Sequence, residues 1–201
     1  MALICLPCTL QSGLTLAGGV RMWKRLILVW SGVMTVLVLA SCSVPNLELM
    51  QQATPTPLVL SQWAVAATAS SSYAFPDWGP NRASGAPEIN ACTDDPRAWA
   101  SARGNGVEWL QLSYARSVNA LEVRIHQTHG RGAISRVTLL DEDGNSQVIW
   151  EGIDASDPCP GVLVLRADPS TTKVSEVRVD LDESRTGMWN QIDSVELVGA
   201  P

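Results

Sequence analysis

Beyond residue 60, apolar residues recur at every second position in one segment after another. Leu121, Val123 and Ile125 share one face of an extended chain, with Glu122, Arg124 and His126 on the other. Val177, Val179 and Leu181 repeat the arrangement against Glu176, Arg178 and Asp180. A period of two is what a strand with one buried face requires, and a helix of 3.6 residues per turn would not produce it. Further strands are predicted over residues 107–115, 134–140, 147–150, 161–166 and 192–198, each bounded by Gly, Pro, Asp or Asn. Asp143-Gly144, between VTLL and QVIW, predicts a hairpin closed by a type I′ turn, which needs two residues that tolerate positive φ. Read instead as a calcium loop, the same stretch fails, because its glycine falls two places early and no glutamate closes it. No amphipathic helix of ordinary length is readable after residue 60. Eight or so short strands can then bury their apolar faces only against another sheet, which predicts an all-β jelly-roll sandwich of antiparallel strands over residues 61–201. Residues 64–106, rich in Ala, Ser, Gly, Pro and Asn, are expected to form long loops with a few short strands.

The N-terminal quarter has a different pattern. From Met22 the chain reads MWKRLILVWSGVMTVLVLASC: positive charge, an apolar run from Leu26 to Ala40, then a cysteine. That order matches a signal peptide over 22–41. The run is shorter than the roughly 20 apolar residues a helix needs to cross a bilayer core. Leu39-Ala40-Ser41-Cys42 resembles the lipobox of bacterial lipoproteins, which implies that Cys42 carries acyl chains and begins the mature protein. The expected location is the extracytoplasmic face of a cell membrane, with the acyl chains as the membrane contact. Residues 1–21 add a charge-poor apolar stretch ahead of the basic segment, so Met22 is the expected start. Cys5 and Cys8 form a CxxC with no strand–helix context and receive no function. Residues 42–60 lack a sustained period, and ATPTP favours extended backbone, as expected of a tether.

Charge narrows the choice of partner. Of the 14 basic residues, Arg21, Lys24 and Arg25 precede Cys42, leaving 11 against 20 acidic residues that all follow it. Nucleic acid, which needs a dense Lys/Arg footprint, is excluded, and so is a polybasic grip on anionic lipid.

The order of landmarks from about 63 to 199 resembles the galactose-binding-like superfamily, which includes factor 5/8 type C (discoidin) domains and many bacterial carbohydrate-binding modules. The landmarks are Ala-Ser-Gly-Ala-Pro at 83–87, Trp99 in AWAS, the strand Trp109-Leu110-Gln111-Leu112, the strand from Leu121 to His126, the hairpin LLDEDGN, VRVDL at 177–181, and the closing WNQIDSVEL at 189–197. The resemblance implies recognition of sugars, lipids or protein surfaces through loops at one end of the sandwich, without catalysis. It also raises a structural calcium. Glu196 sits where the family's calcium-binding glutamate would be, yet the family's loop Asp reads Ser84 before Gly85. Calcium ligand and edge-strand surface residue stay open as readings of Glu196.

Cys92 and Cys159 are the only cysteines of the predicted domain, and in an oxidising compartment they are expected to bridge. Enzyme signatures such as G-x-S-x-G, H-E-x-x-H and phosphate-binding glycine loops are missing. A glycosidase-like carboxylate pair is a matter of separation in space, which sequence does not give. Trp99, Trp109 and Trp150 lie in strands and are expected to pack in the core or across strands. If the strands run as read, Trp78, Arg82, His129, Arg131 and Arg185 fall in connections, and Trp189 and Asn190 in a turn-like stretch where Trp189 is either core or platform. These seven are the candidate ligand residues, for stacking a sugar ring and binding its hydroxyls. The predicted function is a membrane-tethered module that binds a cell-surface glycan or similar polymer. The alternatives are a structural or assembly lipoprotein that docks on a protein, and a hydrolase.

Overall fold

The computed structural model describes residues 58–155, 157–168 and 173–201. The signal peptide, Cys42, Cys5, Cys8 and the tether up to residue 57 lie outside them. Eight strands form: β1 (Leu60–Trp63), β2 (Ala66–Ala69), β3 (Val107–His129), β4 (Ile134–Asp141), β5 (Ser146–Glu151), β6 (Gly161–Arg166), β7 (Val174–Asp182) and β8 (Gln191–Ala200). One sheet runs β1-β8-β3-β6, the other β2-β3-β7-β4-β5, and every pair is antiparallel. The only helical elements among the described residues are 3₁₀ turns at Pro80–Ala83 and Glu183–Arg185.

The sequence pattern predicts two strands, at 107–115 and 121–126, where the structure has one. Val107–Ser113 of β3 pair with β7 in the second sheet, and Asn119–His129 pair with β8 in the first. Straight, such a strand would span about 75 Å. It turns a corner between Ser113 and Val118, where its register against β7 shifts. Gly104, before β3, and Gly130, after it, both press on Trp189, so the two ends of β3 meet at one end of the sandwich.

The inward face of β3 changes parity along its length. Leu110, Leu112, Tyr114, Val118 and Ala120 are buried at even positions, then Val123 and Ile125 at odd ones. An irregularity in the β8 pairing between Ala120 and Glu122 makes the switch, as an extra residue in one strand must, because each one-residue slip exchanges the faces. Between the sheets, these residues meet Val137, Leu139, Leu165, Val177, Val179, Leu181, Val195 and Leu197 in one core. At the corner Tyr114 donates its hydroxyl to the Val195 carbonyl at 3.3 Å, and burial pushes that hydroxyl's pKa far up. Trp99 is fully buried and pairs with Ile192, and Trp150 packs on the core margin. Trp109 instead lies under the Arg178 guanidinium, 4.6 Å from its ring centroid.

The β4–β5 turn corrects a detail. Gly144 alone has positive φ there, at 83°, so Asp143 does not adopt the left-handed conformation that a type I′ turn demands of both residues. The Asp141 carboxylate closes the loop instead, accepting from the backbone N–H groups of Asp143 and Asn145.

Candidate functional site

Four loop segments converge where β3 ends and β8 begins. Tyr73 is held by its N–H donating to the Ala100 carbonyl, and Trp78 by exchange with Pro96 and Ala100. Cys92 is bonded to Cys159, and Thr93 N–H donates to the Thr128 carbonyl. The disulfide thus pins the 92–97 loop across the tip of β3. Trp189 sits in the turn between β7 and β8.

The three rings form a trough. Tyr73 stands edge-on to Trp78, with centroids 5.2 Å apart, and edge-on to Trp189 at 5.7 Å. Asp94, Ala100, His129 and Gln191 complete a recess of about 70 Å³. Its polar groups are already oriented: Asp94 Oδ1 accepts from Trp78 Nε1 at 3.1 Å and from Gln191 Nε2 at 2.5 Å, while Gln191 Oε1 accepts from Asp95 N–H at 3.0 Å. Asp95 itself is bound by Arg97, whose guanidinium holds that carboxyl below the usual range. Indole faces that pack on the C–H faces of a pyranose, beside a fixed carboxylate and an imidazole that exchange hydrogen bonds with hydroxyls, are suited to hold a sugar. Asp94 is the one carboxylate lining the recess among the described residues, so it holds no facing acid pair of the glycosidase kind.

Of the sequence candidates, the fold brings Trp78, His129 and Trp189 together here. Trp189, left open between core and platform, is 39% exposed. The other four are placed elsewhere. Arg131 is directed inward: its side chain is 3% exposed, faces Asp154 at 3.5 Å and donates to the Pro158 carbonyl. The glycine-rich segment at 130–132 turns this arginine under the 154–160 loop instead of out to a ligand. Asn190 is fully buried and donates to Gln127 Oε1 at 2.7 Å and to the Gly130 carbonyl. It sets the turn that presents Trp189 and does not reach the surface. Arg82 is paired with Asp77 at 2.7 Å, outside the recess lining. Arg185 belongs to a separate open hollow of about 550 Å³ beside β4, β5 and β7. No aromatic ring lines that hollow, and its cations are matched: Arg185 to Asp182 and the Gly152 carbonyl, Arg136 to Glu151.

Tyr73, Asp94 and Gln191 were not among the sequence candidates. Tyr73, one of two tyrosines in the chain, lies five residues before Trp78 in a Ser/Pro-rich stretch, which was its available signal. Asp94 and Gln191 had none, since they become site residues only through the crossing of the 92–97 loop over β8.

Glu196 does not fit a calcium ion. Arg124 Nη1 lies 3.0 Å from its carboxylate, and Ser61 donates to its other oxygen. With Ser84 in place of an aspartate, the site lacks the several anionic oxygens that calcium takes.

The β-sandwich with its aromatic recess at the loop end shares its fold with solved carbohydrate-binding modules. The chain belongs to the family described as pappalysin-1, SD scarf domain, C-terminal, whose model matches residues 54–201. No curated protein matches its sequence. Similar solved structures include a pectin-binding carbohydrate-binding module (19% identity, covering 71% of this chain and 91% of that one, TM-score 0.52). Chitosan-binding module 1 of a chitosanase/glucanase from Paenibacillus sp. IK-5 is 18% identical over 66% of this chain and 92% of its own, with TM-score 0.50. The lectin domain of lectinolysin, solved with Lewis B antigen, is 17% identical over 68% and 93%, TM-score 0.50. At these identities the likeness is one of fold.

Proposed function

We propose that this protein is a carbohydrate-binding module that takes a glycan in the Tyr73–Trp78–Trp189 recess without turning it over, held at the extracytoplasmic face of a membrane by acyl chains on Cys42. The observation that carries the binding reading is the trough in which Tyr73 stands edge-on to both Trp78 and Trp189, beside the Asp94–Gln191 pair. The ligands of the similar modules, pectin, chitosan and the Lewis B antigen, support the same class. The anchoring reading rests on the lipobox-like Leu39-Ala40-Ser41-Cys42 and the short apolar run before it.

A glycan array probed with the full chain in detergent micelles tests binding, with Trp78→Ala as the matched control. The expected result is retention on one class of glycan, weakened at least about tenfold by the substitution. Retention on none, or equal retention of both proteins, rules the site out. Mass spectrometry of the mature N-terminus tests the anchor, and an unmodified chain that begins elsewhere than Cys42 ends that part of the proposal.

A further inference from the structure

Trp189 lines two hollows. One is the recess with Tyr73 and Trp78; the other, about 350 Å³ and open, is lined by Ala102, Arg103, Gly104, Asn105, Gly187 and Trp189. A Cβ at Gly104 would lie 2.8 Å from the Trp189 backbone nitrogen, so this segment packs directly on the Trp189 turn, and Gly187, with φ +65°, is a position where a side chain would be strained. The arginines around this end of the sandwich are otherwise committed: Arg82 to Asp77, Arg97 to Asp95, Arg131 to Asp154 and Arg185 to Asp182. Arg103 is exposed and makes no ion pair among the described residues. Across Trp189 the fixed charge is negative, at Asp94.

We propose that Trp189 is shared by two sugar subsites, and that the Arg103 side takes a hexuronate joined to a neutral sugar in the Tyr73–Trp78 recess. This rests on the glycan-binding reading above and adds to it the length and charge of the ligand. The planar guanidinium fork matches a carboxylate in two-point geometry, and the Asn105 amide can both donate to and accept from hydroxyls. Asp94 repels a second uronate in the first subsite, so the two charges set the direction in which the chain lies across the indole.

Calorimetric titration of the full chain in micelles with a panel of hexuronate–hexose disaccharides, each beside its carboxyl-reduced neutral counterpart, tests this. At least one acidic member should bind about fivefold tighter than its neutral partner, the upper end of what an exposed ion pair contributes. Arg103→Gln should abolish that difference, while Trp78→Ala should weaken both. If no acidic member exceeds its partner, or Arg103→Gln preserves the ratio, the second subsite is refuted. When neutral members still bind in a Trp78-dependent way, the glycan-binding reading survives that failure. Binding of neither member by the native chain overturns both.

Discussion

Gly130 is packed against Trp189 so closely that a Cβ on the glycine would fall 2.7 Å from the Trp189 carbonyl carbon. Its φ of +56° adds a second constraint. Gly130→Ala should therefore force the β7–β8 turn away from the tip of β3 and strain the backbone. The expected cost is about 2 kcal/mol or more. Thermal unfolding would show a Tm lower by several degrees, and glycan binding should weaken because Trp189 is displaced. Gly144→Ala is the comparison: it carries positive φ, +83°, but meets nothing within 4 Å, so it should lose some stability and keep its binding.

Arg131 was expected at the ligand surface and is buried against Asp154. Arg131→Ala would leave that carboxylate buried without its cation, a change that costs about 3–5 kcal/mol when the pair is desolvated. The variant should melt far below the native protein. Arg131→Met with Asp154→Leu, which removes both charges, should recover most of the loss. A native-like Tm for Arg131→Ala would return this residue to the list of ligand candidates.

The contrast between Arg131 and Trp78 shows what the sequence pattern carries. Period-two alternation located the inward residues of β7 and of the later half of β3, since each strand's face is a local property. It split β3 in two because Ala115 to Val118 interrupts the alternation, and only pairing with both sheets reveals one strand turning a corner. Loop residues were placed in loops, but whether a loop arginine points in or out depends on a partner distant in sequence. Arg131 finds Asp154 and Pro158 through the strand order, and Asp94 enters the recess because a disulfide 67 residues long in sequence separation pins its loop. Neither relationship leaves a periodic trace.

That disulfide should matter to both stability and binding. On the chain-entropy model a closed loop of this length stabilises the fold by about 4 kcal/mol. Cys92 lies two residues before Asp94, and Thr93 is bonded to the Thr128 carbonyl, so opening the bridge also frees one wall of the recess. Cys92→Ser with Cys159→Ser should lower the Tm by roughly 10 °C and weaken glycan binding more than it alters the strand signal in far-UV circular dichroism. Unchanged affinity in the folded variant would show that the Thr93 contact alone suffices to place Asp94.

Beneath the Trp189 turn lies Glu183, fully buried, with one carboxylate oxygen accepting from Asn190 N–H at 3.1 Å and the other from the Ser101 hydroxyl at 2.6 Å. Burial pushes its pKa up to about 7, against the two hydrogen bonds that favour the charged form, and the nearby Glu108 adds to the rise. Between its ordinary value of 4.5 and about 7 the folded protein therefore holds a proton that the unfolded chain has released. Stability must fall as pH rises through that window. Asp193, raised by burial, acts in the same direction, whereas His126, lowered by burial, opposes it below about 6.5. Asp95, Asp141 and Asp182 are all lowered and change stability only in more acidic solution. Comparison of the native protein with Glu183→Gln cancels the other groups. Gln can still accept from Asn190 N–H through its oxygen, and its amide can donate to the Ser101 hydroxyl, which then donates to the Arg103 carbonyl. The variant should be more stable than the native protein at pH 8, by about 3 kcal/mol, and the advantage should vanish toward pH 4.5. Denaturant unfolding at half-unit pH steps gives the difference directly. A difference independent of pH would mean that Glu183 stays ionised throughout, with its hydrogen bonds outweighing burial.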